Sequence, residues 1–522
     1  MTEAIIARQE SMAATWLGFI LMCLGMFMAI LDIQVVATSL PAIQQALEIS
    51  RDAMSWIQTA YLIAEIVAIP LTGWLTRVLT LRWMFVAAIG LFTLASIGCA
   101  SSASFATLVS FRVLQGFAGG ALIPAVFSAV FLLFPLRLHP IATTLGGIMA
   151  VLAPTIGPVV GGWITETWSW HWLFLINVVP GLLAALATPF LLPIEKPNFN
   201  DLATLDLFSL LMMTAALGCL ELGLKQAPQL GWLSARCIAL FLASGLAAAI
   251  FASRTLKASR PVVELKTLRA RAFAVSCALS FCLGVGLFGS VYLMPVFLAY
   301  VRRHDAFEIG TIMLVTGIAQ LITAPLAGAL ESRYDPRKLS ACGFALFALG
   351  LGLSAFQSRV ADFDEMFLPQ VLRGIAIMFC LLPPTRLALG TLTAAQVPDA
   401  SGLFNLMRNL GGAIGLALID TVLDLRIPVH VEAIVARLQA GDASAARLVG
   451  LPTERFTGVP LGAVDDATHA LVAPLVERAG LVAAFNEAWL VIGALILVSM
   501  LALPLLRPAA AKVDMTRRWN AA

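Results

Sequence analysis

The sequence is poor in charge. Asp, Glu, Lys and Arg make up 12% of its 522 residues, where a soluble domain averages about 25%. With 60% of the residues hydrophobic, no soluble multidomain reading survives. The chain is also poor in clustered reactive groups. Of its five histidines, His139 and His171 lie at the ends of apolar runs, and His304, His430 and His469 lie in polar connections. The eight cysteines (Cys23, Cys99, Cys219, Cys237, Cys277, Cys282, Cys342, Cys380) fall in apolar runs or at their edges. None has metal-ligand spacing and none lies in a long polar loop. That excludes a zinc site or a disulfide framework and leaves them as small buried hydrophobes. There is no nucleotide-binding loop, no metal-ligand pair on one helix and no nucleophile beside a base. A membrane-embedded enzyme is therefore disfavoured, and no cofactor, metal or nucleic-acid partner is expected. A cleavable signal peptide is missing too. The first apolar run is too long and no small-residue cleavage site follows it, so it reads as a retained span.

What the chain has in abundance is long apolar runs. A membrane span needs about 20 mostly apolar residues. Fourteen such runs are found, at roughly 14–36, 56–75, 83–101, 105–133, 141–164, 171–193, 204–224, 237–253, 273–300, 309–330, 339–357, 366–384, 400–423 and 484–506. The expected fold is an all-α polytopic membrane protein. With an even number of spans, both termini share a side. Placing the N-terminus in the cytoplasm puts 19 Lys and Arg in inside segments, against 6 in short outside loops. This bias sets orientation in membrane proteins and puts both termini inside. The long connection at about 424–483 is the one sizeable polar segment outside. Within it, residues 431–438 have the pattern of a short amphipathic helix in a solvated cap or a docking surface.

One span holds a single, expensive charge. Phe105 to Leu133 contains Arg112 and no other ionisable group. A cation at bilayer depth costs at least about 2.5–3.5 kcal/mol, and Arg cannot shed its proton. It needs an acid, a water-filled cavity, or both. Two acids lie in nearby spans. Asp32 reads as a proton carrier or a carboxylate that meets a cationic substrate, or else as a fixed counter-ion. Glu65 reads as part of proton coupling, or as a satisfied polar contact. Gly157, Pro158, Gly161 and Gly162 suit a tight hinge against a helix of the other half, since small residues let helices approach closely. Gln115, Asn405, Arg408 and Asn409 are candidates for lining a central cavity; Asn405 and Asn409 stand about one turn apart and share a face.

An internal repeat offset by eight spans organises these features. Gly73-Trp74-Leu75-Thr76-Arg77 precedes one basic turn, and Gly328-Ala329-Leu330-Glu331-Ser332-Arg333 precedes another. Val113-Leu114-Gln115-Gly116 matches Val371-Leu372-Arg373-Gly374, which aligns Gln370 with Arg112. The division that follows is a six-span half at 14–193, two inserted spans at 204–253, and a second six-span half at 273–506. Related halves that meet at a central site are a transporter architecture.

At these residues the chain resembles the major facilitator superfamily, and more closely its fourteen-span drug:proton antiporters of the EmrB/QacA type. Leu31-Asp32 through Leu40-Pro41 resembles the first-span motif of that group, and Leu108 to Ala121 its fourth-span motif. Gly157-Pro158-Val159-Val160-Gly161-Gly162 resembles the antiporter motif, with Ala153 where a further glycine is usual. Asn177 matches the start of span 6, and Ser401 to Gly412 the span-13 signature. One motif departs. Arg77 stands where an Asp is usual and Thr80 where a turn glycine is usual, which leaves the charge–dipole latch between the halves without its ordinary residues. The resemblance implies proton-coupled efflux of amphipathic drugs or toxic small molecules across the cell inner membrane by alternating access. The alternative is a dedicated exporter of one endogenous metabolite or aromatic acid. It also implies Asp32 as the partner of Arg112, protons and a small molecule as the transported species, and a periplasmic adaptor with an outer-membrane channel as partners.

Overall fold

The structure is a computed structural model and describes residues 2–199, 205–259, 261–461 and 466–506. Arg260, Arg507, Lys512, Arg517 and Arg518 of the inside charge count lie outside the described residues, as does residue 204 at the start of the seventh run. The described residues fold into helices and connections, with no strand. In order the helices are α1 (Thr2–Ala46), α2 (Arg51–Ala100), α3 (Phe105–Leu133), α4 (His139–Thr167), the single turn α5 (Trp172–Leu175), α6 (Val178–Leu191), α7 (Leu207–Leu230), α8 (Ala235–Lys257), α9 (Arg271–Phe297), α10 (Ala306–Arg333), α11 (Pro336–Leu353), α12 (Phe363–Leu389), α13 (Val397–Gln439), α14 (Ala443–Val449) and α15 (Asp466–Ser499). Among the described residues, twelve helical stretches are long and apolar enough to cross a membrane. In a bilayer every backbone group must be bonded within the protein, and an all-helical chain meets that demand.

One of the twelve, Ala53–Ala100, is 48 residues long. It is not straight. The carbonyl of Ile57 accepts from Arg112 Nε at 3.2 Å, and Ser96 Oγ accepts from Gln115 Nε2 at 2.9 Å. Ile57 and Ser96 would lie roughly 58 Å apart along a straight helix, yet both touch the same stretch of α3. The chain doubles back at Thr80, whose φ of 72° and ψ of 161° are non-helical. This is a backbone region that suits glycine, and the turn holds a threonine in it.

Two apolar cores interlock. The first joins α1, α2, α3 and α6 and is completed by Ala400, Leu403, Phe404 and Leu406 of α13. The second joins α9 to α12 and α15 and is completed by Val151 of α4. Helices α7 and α8 pack on each other, where Ser244 Oγ donates to the carbonyl of Ala216 at 2.7 Å. Helix α7 also reaches both cores' helices. Lys225 bonds Ser55 of α2, and Trp232 Nε1, in the turn just after α7, donates to Thr421 of α13 at 2.8 Å.

The polar connection expected at about 424–483 is largely helical. Helix α13 continues unbroken to Gln439 and α15 begins at Asp466. No helix starts at 431. Val431, Ile434, Val435 and Leu438 recur at helical spacing and bury one stripe against Ala445, Ala446, Val449, Val476 and Ala479. An apolar face with a partner extends a helix that composition alone ends earlier. Arg426 and His430 both bond Glu487 of α15, at 2.5–3.0 Å, and fasten the base of this hairpin.

Candidate functional site

Helix α3 sets the site. Arg112 and Gln115 are three residues apart and share its buried face. Gly116, Gly119 and Gly120 let the first arm of α2 come close. A Cβ at Gly119 would meet Tyr61 Oη at 2.5 Å, and one at Gly120 would meet the Glu65 carbonyl at 2.5 Å. That approach lays the Tyr61 ring over the guanidinium, with Cζ 4.2 Å from the ring centroid.

Arg112 Nη1 is bonded to Asp32 Oδ2, and both side chains are fully buried. Asp32 Oδ1 accepts from Gln115 Nε2 and from Asn177 Nδ2, each at 2.9 Å. Gln115 Oε1 in turn accepts from Arg112 Nη1 at 2.7 Å. Burying two charges costs several kcal/mol per ion unless the geometry is good and the remaining groups are bonded. Here Asp32 has three donors. Arg112 has two side-chain acceptors and a carbonyl, and its Nη2 alone is left without a partner. The network draws groups from α1, α2, α3 and the turn before α6, so any relative movement of these helices disturbs it.

Glu65 lies near this pair without joining it. The charges that act on it are those of Arg112, Glu221 on α7, Arg408 on α13 and Asp32. It therefore stands where the two cores and the extra helix α7 face one another. Arg408 is buried, donates from Nη2 to Asn405 Oδ1 at 2.7 Å, and lies 5.7 Å from the Phe127 ring.

The Major Facilitator Superfamily profile matches residues 22–416. The chain belongs to the major facilitator superfamily. It is 41% identical to the colistin resistance protein EmrB of Acinetobacter baumannii, over 80% of this chain and 82% of that one. To the multidrug export protein EmrB of Escherichia coli K12 it is 27% identical, over 90% of each chain. Among solved structures it is similar to the human organic anion transporter MFSD10, with a TM-score of 0.61 at 13% identity, over 93% of this chain and 98% of that one. At that identity the likeness speaks for the fold alone. The chain is thus an all-α, multi-pass membrane transporter of this superfamily and not an enzyme.

Within the superfamily fold the antiporter motif has an unexpected partner. Gly157 packs on Gln34, and a Cβ at Gly161 would meet the Val35 carbonyl at 2.8 Å. Both partners are on α1, and not on any helix of the later stretch α9 to α15. Residues two apart on a helix face opposite sides, about 200° around. Val159 and Thr155, on the other side of α4, meet the second half, and there the glycines belong to α10. Gly310 receives Val159, and Gly317 receives Thr155. Gly162 and Pro158 are buried within α4.

The candidate cavity residues also sit differently. Gln115 is held in the Asp32 network. Asn405 Nδ2 donates to the Ser401 carbonyl at 2.9 Å, and Asn409 Nδ2 to the Asn405 carbonyl at 3.3 Å, so both amides are engaged within α13. The central cavity, about 20 Å³, is lined instead by residues of α4, α9, α10 and α12, among them Thr155, Met294, Thr316, Gln320 and Arg373.

Sequence reasoning left two features out of the site. Asn177 matches a motif but has no role there; besides that match, its signal is a polar side chain inside the apolar run 171–193. The second is the contact between Arg77 and Asp399. Arg77 Nη1 is bonded to Asp399 Oδ2 in the first turn of α13, and Nη2 donates to the Pro261 carbonyl at 2.9 Å. A Cβ at Gly73 would lie 2.7 Å from Asp399 Cα. The residue whose charge departs from the usual motif thus finds an acid on the opposite helix.

Proposed function

We propose that this transporter exports amphipathic drugs or toxic small molecules by alternating access, driven by protons moving the opposite way. The Asp32–Arg112 pair carries this reading. A proton arriving at Asp32 removes the charge that holds Arg112 and two amide donors in place. The free guanidinium then favours a different packing of α1, α2, α3 and α6. Proton binding shifts the access equilibrium only to the extent that the two states hold the proton unequally, and a carboxylate locked by three donors in one state meets that condition. Glu65, between Arg112 and Arg408, serves as the second acid, and Gln115 positions the first. Gly157, Pro158, Gly161 and Gly162 form a close-packed pivot on α1.

The closed centre fits the same cycle. Drug-sized sites are typically about 300–1,000 Å³, whereas the cavity beside Arg373 is about 20 Å³; a wider opening of about 320 Å³ is lined by other residues, among them Phe131, His139, Leu389 and Val397. The helices must part to admit substrate. The names of the relatives, a colistin resistance protein and a multidrug export protein, support a resistance substrate range. The alternative is export of one endogenous metabolite or aromatic acid, favoured by the lone cation Arg373 in the cavity wall.

The setting we infer is the cell inner membrane, with both termini cytoplasmic, on the Lys and Arg bias. Counting the two arms of α2 separately and adding α13 to the other apolar stretches gives fourteen spans, in two six-span halves around α7 and α8. The folded hairpin of α13 and α15 then stands on the periplasmic face. It offers a surface for a periplasmic adaptor leading to an outer-membrane channel.

The test is a susceptibility screen of a strain expressing the protein, with and without a candidate adaptor, paired with flux in proteoliposomes under an imposed pH gradient. Gradient-dependent flux of several unrelated amphipathic compounds supports the reading. No gradient-dependent flux across a broad panel would sink it.

A further inference from the structure

The repeat that places Arg112 in the first half places a second buried guanidinium in the other. Gln370 aligns with Arg112, and Arg373 aligns with Gln115. The two positions have exchanged residue types. Arg373 is 3% exposed. Its surroundings differ from those of Arg112 in one decisive respect. Where Arg112 meets the carboxylate of Asp32 on the first span, Arg373 Nη2 meets the thioether of Met294 on the ninth, at 3.4 Å. The helices correspond, eight spans apart, and the counter-ion has been replaced by a methionine.

No other charge compensates. Among the described residues, no charged group acts on Arg373. Its Nε has no hydrogen-bond partner, and the ring of Trp489 lies 4.8 Å from Cζ. A guanidinium keeps its proton, so this is a permanent, desolvated and unpaired cation. It lines the central cavity with Thr155, Ser290, Thr316 and Gln320. One turn away, Gln370 Oε1 accepts from Thr316 Oγ1 at 3.0 Å, which leaves the buried Gln370 Nε2 as a donor with no acceptor. Beside a cavity with room for one water-sized group, Arg373 Nε and Gln370 Nε2 are donors without an acceptor, and the one unpartnered acceptor in the wall, Gln320 Oε1, is bonded to neither; a neutral amide oxygen would in any case leave the charge of Arg373 unbalanced.

We propose that Arg373 and Gln370 form an anion subsite that takes the compact carboxylate head of an amphipathic substrate. This deepens the exporter reading and rests on it. The guanidinium supplies the charge and the Gln370 amide a second hydrogen bond. The Met294 and Ile377 side chains, both in the cavity wall, present apolar walls to the carbon next to the head. At about 20 Å³ the cavity has room for one water-sized group, so the head and the body of the substrate enter only when the halves part. A free halide offers the same chemistry from another source.

The test uses the full-length protein in nanodiscs, with calorimetric titration of 2-naphthoate, of 2-naphthylmethylammonium, and of chloride against a gluconate background. The variants are Arg373→Gln and Met294→Glu. The second installs an internal counter-ion where the first half has one, and remains informative if the first fails to fold. The expected result is that each variant lowers the preference for naphthoate over the matched cation at least tenfold. Chloride binding that depends on Arg373, without naphthoate binding that does, overturns the substrate assignment in favour of a halide site. Equal naphthoate affinity in wild type and both variants overturns the subsite. Wild-type proteoliposomes tested for pH-gradient-driven flux of a broad amphipathic panel that includes ethidium and 2-naphthoate separate the two claims. Absent flux across the whole panel removes the exporter reading, while flux together with Arg373-independent anion binding removes only the subsite.

Discussion

Arg77, near the end of the first arm of α2, is bonded to Asp399 in the first turn of α13, 322 residues further along the chain. The superfamily motif would place an acid at position 77, and the latch survives here with a base in that position and the acid on the facing helix. The Asp399 side chain is 5% exposed and that of Arg77 31%, so this pair is less screened than a surface ion pair.

The first prediction concerns this latch. Arg77→Asp places two acids face to face, and Asp399→Arg places two bases. Each single variant is expected to lower transport at least tenfold. The double variant Arg77→Asp/Asp399→Arg recovers most of it. Contacting residues show coupling of about 0.5–3 kcal/mol in such cycles, and thermal unfolding of the four proteins measures it. Additive losses in the double variant would remove the latch from the account.

The second concerns the buried pair. Breaking a buried ion pair from one side costs about 3–5 kcal/mol. Asp32→Asn is therefore expected to lower stability by that order, and Arg112→Gln likewise. Asp32→Asn/Arg112→Gln removes both charges, leaves neither uncompensated, and returns most of the stability. Denaturation in detergent compares the three; a double variant as unstable as the sum of the singles contradicts the pairing.

The third concerns Thr80. A non-glycine residue in this sparsely populated backbone region costs of order 1–3 kcal/mol. Its φ of 72° and ψ of 161° place it there, and its Oγ1 is buried without a partner. Thr80→Gly is expected to stabilise the protein by about 1 kcal/mol, read as a rise in Tm. A fall in Tm would show that the threonine is held by something other than the turn.

The fourth separates the two faces of α4. Gly161→Ala sets a methyl against the Val35 carbonyl of α1, while Gly317→Ala sets one 2.5 Å from Thr155 Cγ2 across the α4–α10 contact. Overpacking costs typically about 1–3 kcal/mol. The first is expected to lower thermal stability. The second is expected to change the access equilibrium, measured by cysteine accessibility at the two ends of the bundle. The same effect from both would contradict the assignment of faces.

How much of this was legible in the sequence differs from residue to residue. The spans were legible because a bilayer demands long apolar runs, and Arg112 because a lone charge in such a run is conspicuous. Its partner was not fixed by spacing, since Asp32 and Glu65 are both acids in nearby spans; the resemblance chose Asp32, and the folded chain brings Arg112 to it. The partners of the α4 glycines could not be read, because a small residue says that something comes close and not what. The amphipathic pattern at 431–438 was legible beyond residue 424, but that it continues α13 was not, because its apolar stripe gains its partners only from α14 and α15. Arg373 was visible as a charge, but its missing counter-ion was not. That lack depends on Met294 facing it, and a methionine in an apolar span carries no signal.

The central claim is that the Asp32–Arg112 pair converts proton movement into export. The measurement that meets it most directly compares wild type with Asp32→Asn/Arg112→Gln in proteoliposomes, scoring ethidium movement driven by a pH gradient and ethidium exchange without one. The account predicts that wild type responds to the gradient at least tenfold, and that the variant still exchanges substrate but does not respond. A variant that follows the gradient as fully as wild type would contradict it.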